Sequence, residues 1–395
     1  MRSSPTSLGA VEDMSGPASA PVVLISGDFV RTGGMDRANY ALGSYLLGQG
    51  REVHFVAHRV APELLERPGA VFHPAPKPLN AYLLGEPLLR HAGRRWARRL
   101  SARGARVVVN GGNCDWGDVN WVHYVHAAWS PTPVGGPLRL AKTAYAHRAA
   151  LAAERASLGN ARVVIANSER TRTDLIERLG LPAERIHTVY LGVDADRFRP
   201  PTVGERAEAR ERLGWGGDRP VVAFVGALGD LRKGLDTLLA AWRTLCADPA
   251  WDARLVVVGA GAALERLKSE AADLGDAVAF LGFRRDVPDV LRACDALASP
   301  VRYEPYGLNV HEALCCGLPA LVSRSAGVAE RYPPELHDLL IPDPDDAAGL
   351  ADRLRLWREG RERFASATAA LSDRLRAYTW DGASAQLCRV AGLTS

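Results

Sequence analysis

Glu304 and Glu312 stand with seven residues between them in the run Pro300-Val301-Arg302-Tyr303-Glu304-Pro305-Tyr306-Gly307-Leu308-Asn309-Val310-His311-Glu312-Ala313-Leu314. An apolar strand ends near Ser299, a turn holding Pro305 and Gly307 follows, and a helix begins close to Gly307 or Leu308. Val310, Ala313, Leu314 and Gly317 recur at helical spacing; Gly317, with Pro319 two residues on, ends the helix. The first residues of such a helix leave backbone N–H groups unpaired, which is an anion site by construction. The turn lets one carboxylate stand at a reacting centre and the other at a hydroxyl further along the same ligand.

Arg232, Lys233 and Gly234 close a loop that follows one apolar strand and precedes a helical run over residues 235–245. Two adjacent cations at a helix start suit a diphosphate whose charge grows as a bond to it breaks. One charge pair at contact is worth roughly 4 kcal/mol at an effective dielectric of about 20, before desolvation. A merely solvated pair is disfavoured there, because the helix dipole repels cations at that end. Lysine is scarce in this chain, only Lys77, Lys142, Lys233 and Lys268, which singles out Lys233. Gly33 and Gly34 follow the first strand and allow close backbone approach to a phosphate; a plain tight turn explains them equally. His126 sits in Val125-His126-Ala127-Ala128-Trp129, and Phe283 and Arg284 in a loop after another strand. Gly259 and Gly261 look like half a dinucleotide fingerprint, but the third glycine is absent and a strand-to-helix turn explains them.

The elements that must position these residues are short apolar strands alternating with helices. Residues 21–26, 52–57, 106–110 and 161–166 form one such series. Residues 220–225, 254–258, 278–281, 296–299 and 320–323 form a second, beyond a Pro-rich linker at residues 198–202. Continuous apolar strands predict α/β architecture, a parallel sheet in each half, covered on both faces. Ligands in such sheets sit beyond the carboxyl ends of the strands, so two facing halves make one cleft. We expect a flexible tail over residues 1–20, a first domain over 21–199 joined by a terminal helix over 380–395, and a second domain over 200–379.

A length of 395 residues fits about two domains, each able to bury its own core. With 47% apolar and 24% charged residues, the chain is neither disordered nor fibrous. A net charge of +4 excludes a cationic nucleic-acid coat, so no nucleic-acid partner is expected. No run of about 18 apolar residues would span a membrane. Six cysteines without a CxxC pair fit a reduced, cytoplasmic protein with no zinc site. Arg90, Arg94, Arg95, Arg98, Arg99, Arg103 and Arg106 flank an apolar stripe of Leu89, Ala92, Trp96 and Leu100. That stretch is either a solvated helix face or a peripheral contact with anionic membrane.

The Glu304–Glu312 spacing, with Pro-Tyr-Gly-Leu at 305–308 and Glu-Ala-Leu-Cys-Cys-Gly-Leu-Pro-Ala at 312–320, resembles the E-x7-E segment of retaining glycosyltransferases of the GT-B fold, family 4. The resemblance runs from Val22 to Trp380 and implies two Rossmann-like domains with the last helix crossing back onto the first. It implies transfer of a sugar from a nucleotide-diphosphate donor to an acceptor hydroxyl, with retention, no cofactor and no metal. By position, Arg232 and Lys233 would hold the diphosphate, aided by N–H groups at Gly34, Leu308, Asn309 and Val310 beside Gly33 and Gly307. Glu312 would hold the ribose, Glu304 and His126 the sugar, and the backbone of Phe283 and Arg284 the base. Asn167-Ser168 matches the family's Asn-Ser step. One departure stands out: the family's arginine after Gly226 is Ala227 here, and Arg232 is the expected substitute. The acceptor is a sugar, a lipid-linked glycan or a small molecule, with residues 129–148 expected at its rim. The alternatives are a nucleotide-sugar epimerase or isomerase of the same fold, and a non-catalytic sugar-nucleotide-binding subunit.

Overall fold

Short runs of β-branched and apolar residues, most of them buried, make two parallel sheets. The structure, a computed structural model, describes residues 20–132 and 136–393. The expected tail, Ala20 apart, lies outside the described residues, as do residues 133–135 of the expected acceptor rim.

The first half holds β1 (Val22–Ile25), β2 (Asp28–Phe29), β3 (Val53–Ala57), β4 (Arg59–Val60), β5 (Ala70–Pro74), β6 (Arg106–Asn110), β7 (Val119–Val122), β8 (Val163–Ala166) and β9 (Ile186–Thr188). Seven of them form one sheet in the order β5-β3-β1-β6-β7-β8-β9, and β2 pairs with β4 apart from it. The second half holds β10 (Val221–Val225), β11 (Arg254–Val258), β12 (Val278–Gly282), β13 (Ala296–Ser299), β14 (Ala320–Ser323) and β15 (Leu340–Ile341), in the order β12-β11-β10-β13-β14-β15. Val22 pairs with both Val53 and Arg106, and Val222 with both Leu255 and Ala296. Strand order therefore reverses at β1 and at β10, which opens a crevice at the carboxyl end of each.

Six strands escape the sequence reading: the short pair β2 and β4, and β5, β7, β9 and β15 of the two main sheets. β7 reads Val-Asn-Trp-Val, and its Asn120 breaks the apolar run yet is buried. The Asn120 amide donates to the Gly111 carbonyl at 2.9 Å and the Ser157 hydroxyl at 2.8 Å, which makes its burial tolerable. β5 and β9 are edge strands with incomplete burial, and β15 has two residues.

The chain passes between the halves twice, and the two passages touch. Val193 N–H donates to the Tyr378 carbonyl at 3.3 Å, and Val193 bridges Thr379. The helix Trp380–Ala391 then packs on the first half. Its Leu387, Cys388 and Ala391, with Leu393, share one core with Val22, Leu24, Leu42 and Leu46. The second half has its own core around Phe224, Trp242, Leu314 and Trp357.

Candidate functional site

The loop after β10 turns tightly because Asp230 caps it, accepting the Arg232 N–H at 3.2 Å. Gly234 ends the turn at φ +70°, and a Cβ there would lie 1.8 Å from the Pro300 carbonyl oxygen. Only glycine lets this loop close on the loop that leaves β13. Gly307, at φ +107°, plays the same part before the helix Leu308–Cys315, where a Cβ would sit 2.9 Å from Val328.

These two loops bring Arg232 and Lys233 onto Glu304. The Lys233 ammonium pairs with the Glu304 carboxylate, and Arg232 Nη1 stands 3.6 Å from the same oxygen. Arg232 also donates to the Tyr303 carbonyl at 2.8 Å and lies 5.7 Å over the Tyr124 ring of the facing half. All three charged side chains are less than a fifth exposed. Burial alone would raise the Glu304 carboxyl; Lys233 and Arg232 together hold it below the ordinary carboxylate value.

Beside this cluster the helix Leu308–Cys315 presents the N–H groups of Leu308 and Asn309, which have no protein partner among the described residues. The Val310 N–H differs from these two: it donates to the Gly307 carbonyl at 3.1 Å, and its side chain is in the core. The Asn309 amide donates to the Val225 carbonyl at 2.8 Å, locking the helix start to the end of β10. Gly34, from the first half, faces this start: a Cβ on it would come within 4.0 Å of Leu308. Gly33 precedes it at φ +84°, and the helix Met35–Gly48 begins immediately after.

Glu312 lies one turn into the helix Leu308–Cys315 and pairs with Arg37 of the helix Met35–Gly48. Burial raises the Glu312 carboxyl, and Arg37 opposes that rise. Sequence reading missed Arg37. The available signal was its place three residues after Gly34, on the turn that must face the cleft.

His126 opens a short 3-10 turn whose first two N–H groups are taken by Glu154, at 2.7 Å for His126 and 3.1 Å for Ala127. Its ring lies 4.9 Å from that of Tyr124, which in turn packs edge-on against Tyr303 at 5.3 Å. Val125 N–H donates to the Tyr303 hydroxyl at 3.3 Å. The imidazole thus connects through Tyr124 to Tyr303, the residue before Glu304. Burial, with His147 nearby, pushes its pKa down to about 4, so it is neutral at pH 7.

Phe283 and Arg284 stand apart from these groups. They follow β12, the outer strand of the second sheet, three strand positions or about 14 Å from β13. Phe283 is exposed, and Arg284 pairs with Asp286 at 2.8 Å. The glycines of the apparent dinucleotide loop have a packing reason. A Cβ on Gly259 would lie 1.9 Å from the Gly226 carbonyl oxygen, and one on Gly261 2.3 Å from Leu228. In the basic helix Tyr82–Ser101 and beyond, Arg94 pairs with Asp115, Arg103 with Glu52, and Arg106 with Asp118, while Arg90 donates to the Gly112 carbonyl. No helix among the described residues is long and apolar enough to cross a membrane.

Comparison with known proteins follows the same division into halves. Residues 32–197 match the sequence model described as Glycosyltransferase Family 4, and residues 205–370 the one described as Glycosyl transferases group 1. A D-inositol 3-phosphate glycosyltransferase of Saccharomonospora viridis is 35% identical over 212 residues, covering 50% of this chain and 48% of that protein. The mannosylfructose-phosphate synthase of Agrobacterium fabrum is 31% identical over 238 residues, covering 57% and 51%. The chain thus spans about half the length of these curated relatives. Among solved structures, the sucrose-phosphate synthase of Thermosynechococcus elongatus superposes with a TM-score of 0.73 at 22% identity, covering 94% of this chain and 98% of that one. Its likeness carries the two-domain GT-B fold. The two sequence models, laid end to end, take in most of the chain, and the protein belongs to glycosyltransferase family 4.

Proposed function

We propose that this protein is a retaining glycosyltransferase that moves a sugar from a nucleotide-diphosphate sugar to an acceptor hydroxyl. The observation that carries the reading is the Lys233–Glu304–Arg232 cluster beside the free N–H groups of Leu308 and Asn309, with Gly34 opposite. Two cations and a helix start converge where a diphosphate's charge would grow. Arg232 stands beside Lys233 and fits the guanidinium role left open by Ala227. That weakens the reading as a non-catalytic subunit.

In this reading the bond between the anomeric carbon and the phosphate oxygen breaks. The acceptor oxygen bonds to the same face of that carbon, and its proton passes to the released diphosphate. Arg232 and Lys233 neutralise the leaving group without a metal ion. Glu304 orients these cations and faces the sugar, and His126, neutral, donates or accepts a hydrogen bond from the facing wall. Glu312 takes the ribose. Phe283 and Arg284 reach the base only at the outer end of the sheet. One relative is named for D-inositol 3-phosphate and another for mannosylfructose-phosphate, so inositol and sugar phosphates are the acceptors assayed first.

The test is a panel of UDP-, GDP-, ADP-, TDP- and CDP-sugars with and without acceptors, followed by NMR of the product. An α-linked product from an α-linked donor, with free nucleoside diphosphate released only when acceptor is present, is expected. Nucleoside diphosphate release without acceptor dependence, or conversion of the donor into another nucleotide sugar, would favour the epimerase reading.

We place the enzyme in the cytoplasm on its six free cysteines. A peripheral contact with anionic membrane would rest on Arg95, Arg98 and Arg99, the basic-helix arginines without an ion pair among the described residues. Co-sedimentation with anionic vesicles at low salt tests it, and absence of binding removes it.

A further inference from the structure

Arg37 and Glu312 are 275 residues apart in the chain and meet across the cleft, with side chains 16% and 10% exposed. Two aromatic rings flank the guanidinium: Phe198 at 5.7 Å and Trp380 at 5.9 Å. Phe198 lies just after the first passage of the chain between the halves, and Trp380 opens the helix that follows the second. Arg37 therefore touches a helix of each half and both passages at once.

The pairing leaves Oε2 of Glu312 without a donor among the described residues. An ionised carboxylate offers about four acceptor positions. Arg37 takes one, on Oε1, and no other hydrogen-bond donor among the described residues reaches the carboxylate. A buried carboxylate that loses its ion-pair partner takes up a proton, and the acid then donates where the ion accepted.

Resting on the donor-site reading above, we propose that Arg37 is a positioning residue for the nucleoside end of the donor. It holds Glu312 Oε1 in an ion pair and aims the free oxygen at the vicinal diol of a ribose. Because Arg37 belongs to the opposite half, the diol site is complete only when the halves are closed. Nucleoside diphosphate affinity is thereby tied to closure.

The experiment is isothermal titration of UDP, GDP and ADP into the wild type, Arg37→Met, Arg37→Lys, Glu312→Gln and the Arg37→Met/Glu312→Gln double variant. Arg37→Met is expected to weaken the best nucleotide about tenfold, within the range for contacting charged pairs. Arg37→Lys recovers part of the loss and supplies a charge-conserving folded control. In the Glu312→Gln background, Arg37→Met changes affinity by less than about twofold. A pH series adds a readout that a packing role would not move. Wild-type affinity falls as pH drops through the Glu312 titration, and in Arg37→Met the fall starts at higher pH. The other groups facing Glu312 are Arg197 and Asp194 at the first passage and Cys315 and Cys316 on its own helix. Equal weakening by Arg37→Met in both backgrounds, or none in either, overturns the proposal. Failure of the wild type to bind any of the three nucleotides overturns the donor-site reading itself and this inference with it.

Discussion

The Ser168 hydroxyl donates to the Pro305 carbonyl at 2.5 Å, so the cap of a helix in one half grips the turn that carries Glu304 in the other. The Thr171 hydroxyl reaches the same carbonyl at 3.3 Å. From the opposite direction, Glu330 of the second half accepts the Glu169 and Arg170 N–H groups at 2.9 and 2.6 Å, and the Tyr190 hydroxyl at 3.0 Å. Those N–H groups are orphans of the first turn of the helix Glu169–Leu179, and a carboxylate is the natural cap for them.

Glu330→Ala should therefore destabilise the protein by about 1–2 kcal/mol, the usual cost of a lost cap. Thermal unfolding measures it. Transfer activity should fall with it, because the Glu304 turn loses one side of its frame. An unchanged melting temperature would mean that the clasp contributes nothing.

Glu304→Gln should lower turnover by about 100-fold or more, on the scale of losing one electrostatic contact to the transition state. It should at the same time tighten binding of free nucleoside diphosphate several-fold, because Lys233 no longer has a carboxylate to satisfy. Steady-state rates and calorimetry separate the two effects. Parallel loss of both would assign Glu304 to donor binding alone.

Lys233→Ala and Arg232→Ala should both weaken nucleoside diphosphate binding by about tenfold, each removing a charge-assisted bond worth about 1.5 kcal/mol. If Arg232→Ala leaves affinity and turnover at wild-type level, Arg232 does not stand in for the arginine that Ala227 replaces.

His126 makes stability depend on pH. Its folded pKa is lowered from 6.5 to about 4, so the unfolded chain takes up this proton first. Its contribution is complete above pH 6.5 and is lost as pH falls towards 4. The two values bound it at about 3 kcal/mol. Melting curves of the wild type and His126→Gln at pH 7 and pH 4.5 check this. The melting temperature should drop less in the variant, and equal drops would show that His126 is not the titrating group.

Transfer should persist in excess EDTA, since Arg232 and Lys233 supply the positive charge at the diphosphate. A turnover assay after dialysis against chelator decides it, and activity restored by adding back a divalent cation would move that role to a metal.

Much of this architecture is legible in the chain because the buried strands are unbroken apolar runs. β1, β6, β10 and β13 need no tertiary information. β7 hides because a polar side chain, Asn120, is buried through amide hydrogen bonds to partners that the fold alone brings near. Glu304 and Lys233 are visible separately; their contact depends on Gly234 admitting the Pro300 carbonyl, which spacing cannot convey. Arg37 stays hidden for the same reason, since its partner lies 275 residues away. That the Val310 N–H turns back to the Gly307 carbonyl is likewise hidden, because helical position alone does not say which first-turn N–H groups stay free.

The return of the last helix makes the first half depend on residues beyond the second. Leu387, Cys388, Ala391 and Leu393 complete the core around Val22, Leu24 and Leu42. The core of the second half draws on residues from Val193 to Leu375 and needs none of Leu387, Cys388, Ala391 and Leu393. Removing the helix Trp380–Ala391 should therefore loosen the first half, although the second half lies between them in the chain.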